Sequence, residues 1–281
     1  MKAYSSIIDL KNHLASLKEK SLTLGFVPTM GALHQGHISL IEKASQENDI
    51  VICSIFVNPI QFNNKEDFEK YPIQSERDKE ILKNAGCDIV FMPTAAEMYP
   101  EPPKHVYDFG RLDKVMEGAF REGHFNGVAI VVKRLFDIVR PDKAYFGEKD
   151  FQQLQIIRQM VKSEHMFIEI VSCPIIREAD GLAMSSRNMR LTEEERALAP
   201  SIYRTLKICT QEMKGKNVTE IKAFFVSEMS KFPEFRLDYF EIAEEITLQP
   251  IKSLNESKNP RAFVAVFLGN IRLIDNMKII L

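Results

Sequence analysis

The chain is poor in cysteine, and its few cysteines show no pairing pattern. Cys53, Cys87, Cys173 and Cys209 are the four among 281 residues, and no two of them form a Cys-x-x-Cys motif. A secreted disulfide framework and a zinc knuckle both rely on patterned cysteines, so the sequence argues against both. We therefore expect reduced thiols and a cytoplasmic protein.

The sequence also has no large excess or cluster of one sign of charge, and it has no long apolar run. The 37 basic and 39 acidic residues leave a formal net charge of -2, and no five like charges stand together. Since nucleic-acid binding needs clustered Lys and Arg, we expect no nucleic-acid partner. No apolar run approaches the length that spans a bilayer, and residues 1–14 lack the hydrophobic region of a signal peptide. We therefore expect neither secretion nor a membrane partner.

Short β-rich runs alternate with helical runs between residues 22 and 173. This pattern predicts βαβ crossovers and an α/β fold with a Rossmann-like parallel sheet, whose ligands bind beyond the carboxyl ends of the strands. Ser75 and Asp78 resemble a capping box at the start of one helix. The predicted strands are 22–28, 50–57, 88–92, 144–146 and 168–173, and the predicted helices are 38–48, 75–84 and 127–139.

The texture of the sequence changes after residue 176. Thr192 and Glu195 form a capping box that opens a long charged helix, and residues 215–219 suggest a loop. Two strand-like runs surround Gly269 and Asn270, which suits an antiparallel hairpin. We predict a Rossmann-like nucleotide-binding domain at 1–176 and a smaller α+β lid domain at 177–281.

The turn after the first predicted strand is the most informative segment. It carries Gly31, His34, Gly36 and His37. Glycine lets a ligand approach the backbone, and the free N–H groups and dipole at the start of the next helix favour an anion. The two histidines, three residues apart, share one face of that helix start. The layout predicts a nucleotide-phosphate cradle, and its His-x-Gly-His pattern resembles the signature of the nucleotidyltransferase superfamily.

Two other interpretations fit an isolated pair of histidines at this spacing. The commoner one is a helix cap plus a surface imidazole. The other is a zinc site, which fails because two imidazoles need at least one more Cys, His or carboxylate ligand, and none lies nearby in the sequence.

Later segments supply further functional groups. Lys149 can neutralise charge that grows on a phosphoryl group in the transition state. Gln61, Gln152 and Gln153 suit recognition of a hydroxyl or carboxylate by hydrogen bonds. The segment 184–188 combines two serines with an arginine and suits a flexible lid over phosphates, because guanidinium binds phosphate bidentately. Taken singly, each is more simply explained as an ordinary polar residue of the surface or of a loop.

Five ordered motifs, at residues 28–37, 56–62, 123–128, 146–153 and 180–188, together resemble those of the pantothenate synthetase family. The resemblance covers about residues 20–200. It implies ATP-dependent condensation of pantoate with β-alanine through a pantoyl-adenylate, with pantothenate, AMP and pyrophosphate as products. ATP would be a substrate, Mg²⁺ a cofactor and the enzyme a homodimer.

The resemblance also implies roles for individual residues, although it leaves the metal ligands open. Catalysis falls to His34, His37, Lys149 and Arg187. Pantoate would bind the domain at 1–176 through Gln61 and Gln153, β-alanine would contact Gln61, and a flap at 63–75 would exclude water. The ATP-binding residues would be Met30, Gly31, Ala32, Leu33, His34, Gln35, Gly36, His37, Gly147, Glu148, Lys149, Asp150, Ile176 in a following strand, Met184, Ser185, Ser186 and Arg187.

Three competing functions remain to be weighed. A nucleotidyltransferase that leaves AMP or CMP on its product would not need Gln61 and Gln153. A class I tRNA synthetase would need an RNA-binding domain and a basic face. A nucleotide sensor without catalysis would not need His34, His37, Lys149 and Arg187 together.

Overall fold

The computed structural model describes residues 1–62, 68–213 and 215–280, which form two compact units. The first unit comprises 1–109, 120–148 and 153–174, and the second comprises 110–119, 149–152 and 175–281. The domain boundary that we placed after residue 176 stays a prediction. Of the flap expected at 63–75, residues 63–67 lie outside the described residues.

The first unit contains a six-stranded parallel sheet in the order β1-β4-β3-β2-β5-β6. The α/β fold and all five predicted strands are confirmed, apart from one or two terminal residues. The first strand was not predicted, because three residues are too short to show a period. The strands are β1 Lys2–Tyr4, β2 Leu24–Thr29, β3 Ile50–Ile55, β4 Ile89–Phe91, β5 Lys143–Gly147 and β6 Glu169–Cys173.

The strand order creates a switch point in this sheet. From β2 the chain builds outward through β3 and β4 on one side, and then through β5 and β6 on the other. In open parallel sheets the crevice beyond the carboxyl ends at such a point is the usual ligand site. The core beneath it contains Val27, Leu33, Ile41 and Tyr145.

Seven helices are defined within the described residues up to 174. The helix predicted at 127–139 is longer, since it begins at His124. The capping box expected at Ser75 is wrong, because the N-cap is Gln74 and makes no side-chain cap bond. The helices are α1 Ile7–Lys18, α2 Gln35–Glu47, α3 Ser75–Asn84, α4 Ala95–Met98, α5 Met116–Phe120, α6 His124–Val139 and α7 Phe151–Ser163, with 3-10 turns at Pro59–Gln61 and Glu148–Asp150.

The second unit is built on a three-stranded antiparallel sheet in the order β7-β8-β9. Its strands are β7 Phe235–Glu244, β8 Pro260–Leu268 and β9 Ile271–Lys278. The hairpin predicted around Gly269 and Asn270 is confirmed, and Gly269 has the left-handed φ of +54° that the tight turn requires. Buried apolar residues of the sheet pack with those of the helices, among them Phe225, whose ring stacks on Phe240 at 4.0 Å.

Two helical predictions for this unit need correction. The long helix after Thr192 is divided into α8 Glu193–Leu198 and α9 Pro200–Lys207, because the proline at 200 lacks an N–H and begins a new helix. Residues 218 and 219 are not loop, since Asn217 caps α10 Val218–Met229 in a capping box with Glu220. The predicted capping box of Thr192 and Glu195 is confirmed.

A largely buried ion pair holds the segment 110–119 within the second unit. Arg272 donates to both carboxylate oxygens of Glu117 at 2.7 and 2.8 Å, across 155 residues of sequence. The same guanidinium bonds Asp238 at 2.9 Å, and the Tyr239 hydroxyl donates to Glu117 at 2.9 Å. Burial and the neighbouring Glu117 carboxylate raise the pKa of Tyr239, so the phenol stays a donor.

All four cysteines are free and buried. Among the described residues, none of the helices has the length and apolar character needed to cross a membrane.

Candidate active site

Three predicted segments leave the first unit's sheet at the same edge. Residues 30–37 follow β2, the segment 56–61 follows β3, and Gly147 and Glu148 lie at the end of β5. Because β3, β2 and β5 are parallel neighbours, their carboxyl ends point the same way. The carboxyl-end position expected for the histidine turn is confirmed, and the strand order places both this turn and Gly147 at the switch point.

The histidine turn has an unusual backbone that a buried carboxylate holds in place. Gly31 and Ala32 take consecutive left-handed conformations, with φ of +85° and +51°. Such a conformation is disfavoured for alanine, so its surroundings must stabilise it. Asp78, with 1% of its surface exposed, accepts hydrogen bonds from the N–H groups of Ala32 at 2.9 Å and Leu33 at 2.8 Å.

These contacts correct our picture of a backbone cradle. The N–H groups of Ala32 and Leu33 donate to Asp78, and that of Gly36 donates to the His34 ring at 3.1 Å. Amides already bonded inside the protein are not available to a phosphate. A phosphate at this turn would instead meet the imidazoles.

The two imidazoles are oriented by the backbone. His34 is the N-cap of α2, and its Nδ1 accepts from Gly36, while Nδ1 of His37 accepts from the His34 N–H at 3.3 Å. The ring centroids lie 4.1 Å apart. A ring nitrogen that accepts carries no proton, so the neutral imidazoles bear their protons on Nε2. The cap that we weighed as the alternative is present, and it fixes the tautomer.

Gln61 closes the 3-10 turn after β3 and is fixed on several sides. Its side-chain oxygen accepts from Asn58 Nδ2 at 3.1 Å, and its Nε2 lies 2.9 Å from the sulfur of Met30. His124 Nδ1 lies 2.8 Å from the Gln61 carbonyl oxygen. The amide therefore presents its NH₂ group on the side of the histidine turn, where it can donate to an anionic substrate.

Sequence reasoning missed the residue that orients this amide. Asn58 is fully buried, donates to the Gly127 carbonyl at 3.2 Å and accepts from the Tyr99 hydroxyl at 3.0 Å. Gly127 is required here, because a Cβ would lie 2.5 Å from the Ile60 carbonyl oxygen. The available signal was an asparagine directly before Pro59, at the end of an apolar strand.

Three further residues of the first unit have defined places in the structure. Gln153 lies half-buried in α7, where its pantoate contact remains a prediction. His124 is buried and is the first residue of α6. Asp78 was missed as a site residue, although it shares the apolar face of α3 with Leu82, four residues later.

Gln152 belongs to the architecture of the second unit, which corrects its assignment to substrate recognition. It is buried, and its Nε2 donates to the carbonyls of Leu112 at 2.7 Å and Val115 at 2.8 Å. Its side-chain oxygen accepts from the Glu117 N–H at 3.0 Å. All three of these hydrogen bonds bind the segment 110–119, and no local pattern in the sequence distinguishes Gln152 from Gln153.

Lys149 and Asp150 lie in the 3-10 turn that precedes α7. The Lys149 ammonium is 3.7 Å from the Asp150 carboxylate, and 20% of the lysine side chain is exposed. The Lys149 carbonyl accepts from Asn276 Nδ2 at 3.0 Å. The lysine is therefore held by its main chain, while its ammonium keeps some access to solvent.

The segment 184–187 forms a hydrogen-bonded turn rather than a loose loop. Ser185 caps the 3-10 helix Ser186–Arg190 and accepts from the Arg187 N–H at 3.2 Å. Asn188 anchors it by donating to Glu178 at 2.8 Å. Ile176 lies outside any strand, contrary to our expectation, and its carbonyl accepts from the Met184 N–H at 3.0 Å.

In the part of the chain that the structure describes, no group of three or more His, Cys, Asp or Glu side chains is arranged to hold a metal ion.

Comparison with known proteins gives matches along the whole chain. A family model described as pantoate-beta-alanine ligase matches residues 2–278. The pantothenate synthetase of Cytophaga hutchinsonii is 50% identical over 283 residues, with 100% of both chains covered. The crystal structure of the pantothenate synthetase from Thermus thermophilus has a TM-score of 0.93 and 43% identity, with 99% of both chains covered. The pantoate-beta-alanine ligase of Francisella tularensis, solved in complex with beta-gamma ATP and beta-alanine, has a TM-score of 0.84 and 38% identity, with 99% of this chain and 97% of that chain covered.

Proposed function

The chain belongs to the pantoate–β-alanine ligase family, and on this basis we propose that it ligates pantoate to β-alanine with ATP through a pantoyl-adenylate. Beta-gamma ATP and beta-alanine are the ligands of the solved Francisella tularensis relative. The observation that best supports the proposal is the pair of backbone-oriented imidazoles at the switch point, with Met30 of the same turn contacting Gln61.

The proposed reaction has two steps. A carboxylate oxygen of pantoate attacks the α-phosphorus of ATP, so that the acyl–phosphate bond forms and the bond to pyrophosphate breaks. The neutral amine of β-alanine then attacks the acyl carbon, forming the amide, releasing AMP and losing a proton. In the first step an anion approaches a polyanion, so positioning and neutralisation of charge carry most of the catalysis.

The histidines are proposed to stabilise charge on the phosphates. With Nδ1 bonded to the backbone, the Nε2–H groups of His34 and His37 can donate to phosphate oxygens as pyrophosphate leaves. Lys149 and Arg187 would contribute positive charge to the same phosphates. The other ATP contacts predicted at 30–37, 147–150, 176 and 184–187 are part of this proposal. Ala32 and Leu33 would make theirs through groups other than their N–H.

The glutamines are proposed to select pantoate. The NH₂ group of Gln61, fixed by Asn58, can donate to the carboxylate or hydroxyl of pantoate and borders the β-alanine position. Gln153 would bind pantoate as well. Neutral amides suit this task, because they bind an anion without adding charge beside the reacting carboxylate.

The remaining features are proposed on more general grounds. Mg²⁺ would arrive with ATP as part of the substrate, since this ion commonly keeps its waters and binds substrate phosphates. A homodimer is proposed from the family resemblance, and a species of 32.3 kDa in light scattering would contradict it. The free cysteines favour the cytoplasm.

An isotope-exchange experiment tests the intermediate. Labelled pyrophosphate should enter ATP when pantoate is present and β-alanine is absent, because adenylate formation is a complete, reversible half-reaction. Omitting pantoate is the control and should abolish exchange. Exchange that required β-alanine would contradict the adenylate, and a protein that forms no AMP with all three substrates would contradict the ligase function.

A further inference from the structure

A buried polar cluster in the second unit has no place in the reaction described above. It lies on the β8–β9 hairpin, where Arg261, Asp275 and Asn276 expose only 6%, 5% and 2% of their surfaces. Arg177 donates to both oxygens of Asp275 at 2.6 and 2.9 Å. The N–H of Asn276 donates to the same carboxylate at 2.8 Å.

Asn276 connects this cluster to the main chain of Lys149. Its side-chain oxygen accepts from Arg261 at 2.6 Å, which fixes the orientation of the amide. Its Nδ2 therefore faces the opposite way and donates to the Lys149 carbonyl at 3.0 Å, across 127 residues. The Asn276 side chain is thus held at one end by a buried guanidinium and holds the lysine at the other.

The guanidinium of Arg261 also packs on Phe151, which lies two positions after Lys149. Arg261 lies over the Phe151 ring, 4.0 Å from its centroid, and also donates to Glu245 at 3.1 Å. Phe151 begins α7 and is itself buried. Two side chains of the β8–β9 hairpin therefore hold the turn that carries Lys149. Asn276 bonds the main chain of Lys149, and Arg261 packs on Phe151 at the start of α7.

Burying charged groups in this way is a poor route to stability, since well-packed apolar residues often serve equally well or better. What the cluster provides is a defined geometry, because each of these hydrogen bonds restricts its donor and acceptor to a narrow range of orientations. We infer that Asn276 is a positioning residue, which sets the main chain of Lys149 so that its ammonium reaches the phosphates. This inference rests on the role proposed for Lys149.

Asn276→Ala tests the inference, since it removes the donor to Lys149 without adding charge. Asn276→Asp keeps the acceptor for Arg261 and the side-chain volume but loses the donor. Asn255→Ala, at an exposed asparagine of the same unit, is the matched control. Because a misplacement of 1 Å can cost about a hundredfold, we expect both Asn276 variants to lose roughly tenfold or more in kcat, with the KM values for ATP and pantoate changed less than about threefold.

A double variant separates positioning from general damage. In the Lys149→Ala background, Asn276→Ala should lower kcat by no more than about twofold, because no ammonium remains to be positioned. Three outcomes would each overturn the inference. They are an unchanged kcat in the folded Asn276 variants, a loss in the double variant as large as Asn276→Ala causes alone, and failure of both Asn276 variants to fold. A wild-type kcat in Lys149→Ala would show that the lysine has no part in the mechanism, and the inference would fail for that reason. If the wild type forms no pantothenate, it is the proposed function that fails.

Discussion

At the scale of single residues, the histidine turn depends on one buried carboxylate. Asp78 satisfies two N–H groups at a point where Gly31 and Ala32 both have positive φ. The carboxylate supplies two acceptor oxygens in the orientation that these two amides need. The turn that presents His34 and His37 is therefore shaped by a residue of another helix.

We predict that Asp78→Asn lowers kcat/KM by roughly tenfold or more, since a shifted turn misplaces both imidazoles. Asparagine offers one acceptor instead of two, so one amide is left unpaired at a cost of about 1–3 kcal/mol. Steady-state kinetics and amide exchange of Ala32 and Leu33 measure the two effects. Glu80→Gln, on the exposed side of the same helix, is the control. Wild-type kinetics in Asp78→Asn would show that the turn does not need this carboxylate.

A second residue-scale prediction concerns Tyr99, whose hydroxyl donates to Asn58. Without that bond the Asn58 amide can rotate and release the side-chain oxygen of Gln61. Tyr99→Phe should therefore raise the KM for pantoate severalfold, consistent with about 1 kcal/mol for one hydrogen bond. The KM for ATP should stay unchanged. Titration of each substrate separately measures this, and equal losses for ATP and pantoate would place Gln61 in the nucleotide site.

Sequence reasoning could single out residues that belong to a short motif. It missed residues whose hydrogen-bond partners are distant in the sequence. His34, His37 and Gln61 stand in patterned segments, so their chemistry could be inferred. Asp78 acts on residues 45 and 46 positions earlier, and Asn276 on one 127 positions earlier. Such pairs have no local pattern and become visible only when the topology is known.

At the scale of elements, helix α2 is fastened at both ends. His34 caps its start, while Glu47 at its end accepts from the Tyr145 hydroxyl at 2.9 Å and pairs with Lys43 at 2.6 Å. Tyr145 lies on β5, two residues before Gly147. The helix that carries the histidines is therefore tied to the strand on the other side of the switch point.

This end of the helix should respond to acid. The hydrogen bonds from Lys43 and Tyr145 lower the pKa of Glu47 to about 2, from an ordinary value of 4.5. A depressed carboxyl pKa stabilises the fold fully above pH 4.5, and the contribution is lost as the pH falls towards 2. Glu47→Gln should therefore be less stable than wild type at neutral pH, with a gap that narrows below pH 4.5 in urea unfolding. Glu42→Gln on the exposed face is the control, and a gap independent of pH would contradict the assignment.

The prediction of helices and strands succeeded where an apolar pattern extends over many residues. It failed where a single proline or capping residue sets a helix boundary. The buried strands of the sheet and the apolar helix α6 were predicted because their patterns extend over several residues. The helix after Thr192 was predicted as one, yet Pro200 lacks the N–H that would continue it. The start of α10 was missed because the Asn217 cap, rather than the preceding glycine, sets the boundary.

At the scale of the whole molecule, the second unit is assembled from distant parts of the sequence. Besides 175–281 it includes 110–119 and 149–152. Glu117 neutralises the half-buried Arg272, and Gln152 satisfies two carbonyls of the segment that carries Glu117. Residues 175–281 taken alone therefore lack Glu117, the partner of Arg272, and the inserted segments that complete the unit.

We predict that a fragment of residues 175–281 does not fold on its own. Removing one partner of a fully buried ion pair costs about 3–5 kcal/mol, so losing Glu117 from the half-buried Arg272 costs up to a large share of the stability of an ordinary domain. The fragment also loses Phe151 from over Arg261. Thermal unfolding followed by near-UV circular dichroism should show no cooperative transition, whereas the full chain should show one. A cooperative transition in the fragment would mean that the inserted segments are dispensable.

The pairing of Glu117 with Arg272 also has a consequence for the order of events during synthesis. The two residues are 155 positions apart, so at about 5–20 residues per second the guanidinium is made roughly 8–30 s after the carboxylate. Asn276 follows Lys149 by 127 positions, so the lysine also precedes its partner by many seconds. The strands of the first unit are all made before either partner emerges from the ribosome. The nascent chain can therefore complete its parallel sheet early, while the turn that carries the lysine takes its final form only as the last hairpin is made.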